Sequence, residues 1–222
     1  PNVFVLKDNV PNNTQKRSTI QPGDVKLKDI NGDGQVTSED QTIIGHGLPI
    51  HTGGFTNNFE WKNFDLSVFF QWSYGNDVIN YNRVKLESLR GKHINQLASA
   101  ANHWTPRTDN GDGTYTDGNY TNYLCAPNRS LTNINTSREV EDASFLRLKT
   151  VQLGYNFPAK LLKKARLSSL RLYVTGQNLW TWTGYTGYDP EVSTRNSAMT
   201  RGFDYSSYPK TMSFTFGVKL GL

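Results

Sequence analysis

Phe64-Asp65-Leu66-Ser67-Val68-Phe69-Phe70-Gln71-Trp72-Ser73-Tyr74 is the stretch whose reading decides the fold. Phe64, Leu66, Val68, Phe70, Trp72 and Tyr74 fall on one parity, and Asp65, Ser67, Phe69, Gln71 and Ser73 on the other. Successive side chains of a strand point to opposite faces, so one face of this strand is apolar and the other largely polar. A soluble sheet that packs one face on a core shows the same alternation. A length of about eleven residues, with aromatic side chains near both ends, fits a strand tilted across a bilayer better.

Working outward, Thr52 to Trp61 alternates in the same way, with Phe55, Phe59 and Trp61 opposite Thr56, Asn58 and Glu60. Lys62-Asn63 is then a tight connection between two strands. Further on, Phe145 to Phe157 carries Val151, Leu153 and Tyr155 on one parity but Leu146 and Leu148 on the other. That break in phase predicts a bulge, or an upper end that has left the lipid. Leu170, Leu172 and Val174 mark a fourth strand, expected to end near Asn178, after a connection in which Pro158 and Leu161 to Lys164 predict a short helical turn. In the last strand Met212, Phe214, Phe216, Val218, Leu220 and Leu222 alternate with Thr211, Ser213, Thr215, Gly217, Lys219 and Gly221.

The connections run short, long, short, long: Lys62-Asn63, 76–143, 157–168 and 179–210. In 76–143 helices are predicted over Val78 to Leu89 and near Ile94 to His103, and the rest is rich in Gly, Asn, Asp and Thr. Outer-membrane barrels place long loops outside and short turns inside, whereas compact soluble domains seldom carry such long connections. The fold class read from this pattern is all-β, an antiparallel up-and-down transmembrane β-barrel. Residues 1–51 form an extracellular loop segment, and 52–222 supply five strands with the long loops 76–143 and 179–210. Five strands cannot close a barrel, and open edges are not tolerated in lipid, so other chain must complete it.

Composition agrees. A hydrophobic share of 36% and a mean hydropathy of −0.61 are too polar for a helical membrane protein. A barrel hides its membrane signal, because lumen-facing polar residues dilute the lipid-facing ones. The net charge of +5 would attract nucleic acid if it were concentrated, but Lys and Arg are scattered. Their densest group, Lys160, Lys163, Lys164 and Arg166, sits in one short connection and reads as a solvated turn, with no nucleic-acid module in view. Cys125 is the sole cysteine, which excludes an internal disulfide and a cysteine-rich zinc site. The four histidines show no metal or catalytic spacing, so no enzyme is expected.

The sharpest motif is Asp29-Ile30-Asn31-Gly32-Asp33-Gly34-Gln35-Val36-Thr37-Ser38-Glu39-Asp40, which matches the calcium-loop pattern D-x-[DN]-x-[DN]-G. Asp29, Asn31 and Asp33 place oxygens at positions one, three and five, and Gly34 allows the sharp turn at six. Gln35 would offer its backbone carbonyl, Thr37 an oxygen or a water, and Asp40 the closing carboxylate. Asp stands where an EF-hand has Glu, and the preceding residues look extended, which suits calcium loops outside true EF-hands. A polar Asx-rich turn without metal is the competing reading. Asp109-Asn110-Gly111-Asp112-Gly113 has the wrong spacing and reads as a turn.

The chain carries, in order, Pro22-Gly23-Asp24-Val25 leading into Asp29 to Gly34, Thr42 to Gly45, Trp61 to Ser67, Phe70 to Asp77, Ser144 to Lys149 with Leu153-Gly154-Tyr155, Val174 to Leu179, Tyr188-Asp189-Pro190-Glu191, and Tyr208-Pro209. Taken in that order, these segments resemble the SusC/RagA group of TonB-dependent transporters of the Bacteroidetes. The resemblance implies a plugged barrel of about 22 strands, of which this chain would supply the C-terminal five. It also implies outer-membrane import of large nutrients, glycans or peptides, with a SusD-like lipoprotein as lid and TonB engaged through N-terminal regions outside this chain. Trp180, Trp182, Tyr185 and Tyr188, placed by the sequence in the loop after the fourth strand, are candidates for contact with substrate or lid; an interfacial aromatic girdle is the alternative. A secreted, calcium-stabilised β-sandwich binding module is the competing class. In a sandwich the apolar parity of 64–74 and 212–222 lies against a second sheet, and in a barrel it points outward. A glycan hydrolase would need two carboxylates facing one cleft, which the sequence does not locate.

Overall fold

The computed structural model describes residues 22–90, 93–120, 124–127, 135–163, 166–191 and 201–221. Lys164 and Leu222, used above, lie outside them. In chain order the strands are β1 (His51–Trp61), β2 (Phe64–Tyr74), β3 (Asp77–Asn80), β4 (Thr108–Asp109), β5 (Tyr115–Thr116), β6 (Val140–Asp142), β7 (Phe145–Asn156), β8 (Ser169–Thr183), β9 (Phe203–Asp204) and β10 (Ser213–Gly221); α1 is Tyr81–Leu86 and α2 is Ala159–Leu162. The chain divides into two compact units, Pro1–Ile44 with Asn80–Glu139, and Gly45–Ile79 with Val140–Leu222.

The second unit is built on an antiparallel sheet in the order β1-β2-β7-β8-β10. β1 and β2 pair without a break from His51–Tyr74 to Trp61–Phe64 around Lys62-Asn63, where Lys62 takes φ 55°, as a two-residue hairpin turn requires. Across β2, β7 and β8 the apolar residues meet in rows: Phe64–Tyr155–Leu172, Leu66–Leu153–Val174, Val68–Val151–Gly176, Phe70–Leu148–Trp180 and Trp72–Leu146–Trp182. β10 extends the rows with Phe214, Phe216 and Val218 opposite Gly176, Val174 and Leu172. On the polar side Gly217 lies opposite Tyr173, whose ring occupies the space a Cβ at Gly217 would need.

The expected bulge is present. Between the rows Phe69–Thr150–Gln177 and Phe70–Leu148–Trp180, β2 inserts no residue, β7 inserts Lys149, and β8 inserts Asn178 and Leu179. One extra residue reverses the parity of β7, which is why Leu146 and Leu148 share a face with Val151 and Leu153. Two extra residues leave the parity of β8 unchanged. This corrects the expected end of the fourth strand: β8 runs on to Thr183, so Trp180 and Trp182 are strand residues and the loop begins after them. Asn178 absorbs the insertion with φ 51°, and its amide donates to the Thr211 carbonyl at 3.0 Å.

The helix predicted over Val78 to Leu89 is also shorter than expected. Val78 and Ile79 are drawn into β3, which pairs with β6, while the Ile79 N–H donates to the Gly202 carbonyl at 2.8 Å. Val78 is buried with Ala143 and Tyr185, and burial outweighs helical preference there. The helix starts only after Asn80, whose side chain accepts from the Arg83 N–H. Of the second predicted helix, a 3-10 segment at Ala98–Asn102 forms. Within the first unit, Trp104 and Cys125 are buried together, with Val25, Tyr120 and Ala126 packed around them. Asp109 to Gly113 is the turn of the β4–β5 hairpin, with the Gly111 N–H donating to Asp109 and the Thr114 N–H to Asp112.

The apolar face of the main sheet is exposed rather than buried under a second layer: Phe216 is 80% and Val218 62% accessible. Substituting Val68→Arg in the full-length protein is expected to cost about 2–4 kcal/mol of barrel stability, the penalty for a cation near a bilayer midplane. Reversible unfolding in lipid bilayers measures it, and a neutral result would refute lipid placement of this face.

Candidate functional site

Aromatic side chains gather at both ends of the exposed face. Near the Lys62-Asn63 turn, Trp61 stacks with Phe64 at 6.4 Å, Phe64 meets Tyr155 at 4.7 Å, and Tyr155 meets Phe157 edge-on at 4.9 Å. At the other end stand Trp72, Trp180 and Trp182, the last two 6.5 Å apart. Leu66, Val68, Val151, Leu153 and Val174 fill the rows between. From Phe64 to Trp72 a strand climbs about 27 Å, which after tilting suits a lipid-facing band of about 25 Å between two aromatic girdles.

Behind this face the polar side chains form a second constellation. Arg147 is buried on the polar side, where its Nε donates to Thr181 Oγ1 at 2.9 Å, one terminal nitrogen to Asp189 at 2.5 Å and the other to Glu191 at 3.1 Å. Asp189 also accepts from the backbone N–H of Glu191 at 2.9 Å and of Lys210 at 3.0 Å. Glu191 pairs with the Lys210 ammonium, lies 3.9 Å from Lys149, and accepts from the Gln71 amide at 3.5 Å. Two points of one long loop, 189–191 and 210, are thus held on the inner face of β2, β7 and β8. In the sequence Arg147, Asp189 and Glu191 stand only within the family-like segments, with no spacing that marks them as partners. Their signal was present as an arginine on the polar parity beyond a phase break and an acidic pair around Pro190.

Burial pushes the Asp189 carboxyl upward, but the N–H groups of Glu191 and Lys210, with Arg147, outweigh it and hold the group below the ordinary carboxylate range. A depressed folded-state value means that this stabilisation is complete above the ordinary range and is lost as pH falls through the depressed one. Near the same loop, Tyr185 is buried and its hydroxyl donates to Asp204 at 2.6 Å. Burial, reinforced by that bond, pushes its phenol well above the ordinary value. Tyr185 is therefore corrected from a candidate contact residue to a packing residue, because its ring fills the space beside Val78 and Ala143. Tyr188 is 81% exposed, and Trp180 and Trp182 share the outward rows with Phe70 and Trp72.

The residues of the calcium-like loop come together as follows. Asp29 accepts from the Gly32 N–H at 2.7 Å and the Gly34 N–H at 2.8 Å. Asn31 Oδ1 accepts from the Asp33 N–H at 2.9 Å, and Asp33 from the Gln35 N–H at 2.7 Å. Asp40 accepts from Ile30 and Thr37 at 2.7 Å each, and these bonds, led by Thr37, hold its carboxyl below the ordinary range. Gly34 takes φ 82° with open space where a Cβ would stand, so the constraint there is backbone conformation and not room. Thr37 and Asp40 also close a capping box on the 3-10 turn Ser38–Asp40. Among the described residues no three His, Cys, Asp or Glu side chains form a metal-holding group. An ion here would depend on Asn31, Thr37 and a backbone carbonyl as well, and this all-oxygen set fits a hard cation in type and order.

Replacing Arg147 with Met is expected to cost about 3–5 kcal/mol, because Asp189 would stay buried without its cation. Denaturant unfolding reads the loss. Trypsin should cut at Lys210 faster in the variant, and an unchanged cleavage rate would show that the ion network does not hold the loop.

No family model matches the chain. It is 38% identical over 205 residues to the TonB-dependent receptor P3 of Formosa agariphila, covering 90% of this chain and 19% of that protein. The TonB-dependent receptor SusC of Bacteroides thetaiotaomicron is 27% identical over 197 residues, covering 86% and 17%. Among solved structures, the RagAB peptide transporter superposes with a TM-score of 0.66 at 27% identity, covering 90% of this chain and 21% of that one. The chain spans about a fifth of the length of the curated relatives it matches. On these likenesses the chain belongs to the SusC/RagA-type TonB-dependent receptors, as part of the wall of an outer-membrane β-barrel.

Proposed function

We propose that the full-length protein imports large nutrients, glycans or peptides, across the outer membrane, driven through TonB and assisted by a SusD-like lipoprotein lid. The observation that carries this reading is the two-faced sheet of a TonB-dependent receptor: one face apolar and rimmed with aromatics, the other polar and crossed by a pinned loop. The apolar face meets lipid, and the polar face lines a wet interior in which a hydrophilic cargo loses little hydration. The solved RagAB peptide importer, to which the chain is similar, supports the same direction. Trp180 and Trp182 serve mainly as girdle residues at the outer boundary, while Tyr188 presents a ring to the lid or the cargo. Deleting the gene should abolish growth on one polymeric nutrient class, and the full-length gene should restore it. Normal growth of the deletion strain on glycans and peptides alike would overturn import.

The loop Asp29 to Asp40 is proposed to hold a structural calcium ion, with Asp29, Asn31, Asp33 and Asp40 supplying side-chain oxygens, Gln35 its carbonyl and Thr37 an oxygen or a water. Three carboxylates in so short a segment repel one another, and a cation relieves that repulsion. The ion would supply charge balance and a single loop shape; the chain's own N–H groups already orient the carboxylates. Calorimetry on the full-length protein should register calcium uptake at millimolar concentration that Asp33→Ala weakens by at least tenfold. Equal uptake by both proteins would refute this site.

A further inference from the structure

We propose that Lys149 and Lys210, converging on Glu191 on the polar face of the sheet, form a binding site for a carboxylate carried by the imported solute. The inference rests on the import reading for the origin of the ligand and deepens it by naming a chemical class.

The β7 bulge is the first observation. In an unbroken strand residue 149 would share the outward face with Val151 and Leu153, whereas the insertion brings its ammonium to the inner side, 3.9 Å from Glu191. Bulges commonly re-aim a side chain in this way beside functional sites. The charge balance is the second. The network holds three cations, Arg147, Lys149 and Lys210, against two carboxylates, Asp189 and Glu191. Arg147 is fully buried and satisfied by Thr181, Asp189 and Glu191. The surplus charge therefore falls on the two lysines, which share one carboxylate. The third is access: Lys149 and Lys210 keep 27% and 38% of their side chains accessible, against 2% for Arg147. An arriving carboxylate would complete the pairing of two ammonium groups already oriented by the loop, and each such contact is a charge-assisted hydrogen bond. The surrounding Gln71 and Thr181 add neutral polar groups rather than competing negative charge.

Binding is read by calorimetry on the full-length protein in detergent, which is independent of energised uptake. The probes are a tetrapeptide ending in two glutamates, its all-amide analogue, a uronate trisaccharide, and its reduced neutral counterpart. At least one carboxylate probe should bind roughly tenfold more tightly than its neutral partner, with an affinity that falls as salt is raised. Lys149→Met and Lys210→Met should each erase that preference, Lys149→Arg should retain it, and Lys160→Met, a lysine of the short connection, should leave it unchanged. Preference for the peptide or for the uronate assigns the source of the carboxylate. Equal binding of charged and neutral probes, or an undiminished preference in correctly folded Lys149→Met and Lys210→Met proteins, would overturn the site. Normal growth of the deletion strain on glycans and peptides alike, with the carboxylate preference intact, would instead count against the import reading alone.

Discussion

The arrangement of this sheet depends on one constraint: through β2, β7, β8 and β10 the face turned to lipid must stay apolar while every strand keeps its backbone ladder. Period-two alternation meets that demand as long as no residue is added. Where residues are added, at Lys149 in β7 and at Asn178-Leu179 in β8, the numbers differ and so do the consequences. A single insertion inverts the sequence pattern while preserving the physical face. A double insertion leaves the pattern intact while lengthening the strand. The outward rows Phe70–Leu148–Trp180 and Trp72–Leu146–Trp182 exist because these insertions lie side by side.

The same insertions organise the polar side. With Leu146 and Leu148 committed outward, Arg147 must point inward, into surroundings where an unpaired guanidinium would be costly. Asp189 and Glu191 answer that requirement from a loop far along the chain, and Asp189 adds two backbone N–H bonds that anchor the loop at 191 and 210. A break in the strand pattern and the anchoring of residues 189–191 and 210 are therefore two aspects of one electrostatic requirement. Tyr188, next to the anchored Asp189, stays exposed.

The first unit follows a different rule. Its described core is small, with Trp104 and Cys125 at the centre, and much of its order comes from side chains bonding to nearby backbone. In Asp29 to Asp40 the carboxylates are occupied with N–H groups of their own loop. Glu87 instead gathers the side chains of Arg83, Arg138 and Ser99. Polar networks of this kind give a long connection a defined shape without a large apolar centre.

What the sequence determined by itself was whatever depends on local periodicity and spacing. The alternation of 64–74 and 213–221, the hairpin at Lys62-Asn63, the bulge signalled by the conflict between Leu148 and Val151, and the oxygen pattern of 29–40 were all legible, because a strand's two faces and a loop's ligand order are written residue by residue. Tertiary structure decided what depends on partners far away in the chain. Val78 and Ile79 joined a strand rather than a helix because β6 and the Gly202 carbonyl offered pairing there. Tyr185 turned inward because Asp204 and Val78 received it, and β8 ran past Asn178 because β7 continued beside it. The meeting of Arg147 with Asp189 and Glu191 spans more than forty positions, and no local pattern encodes a contact made only when a loop folds back across a sheet.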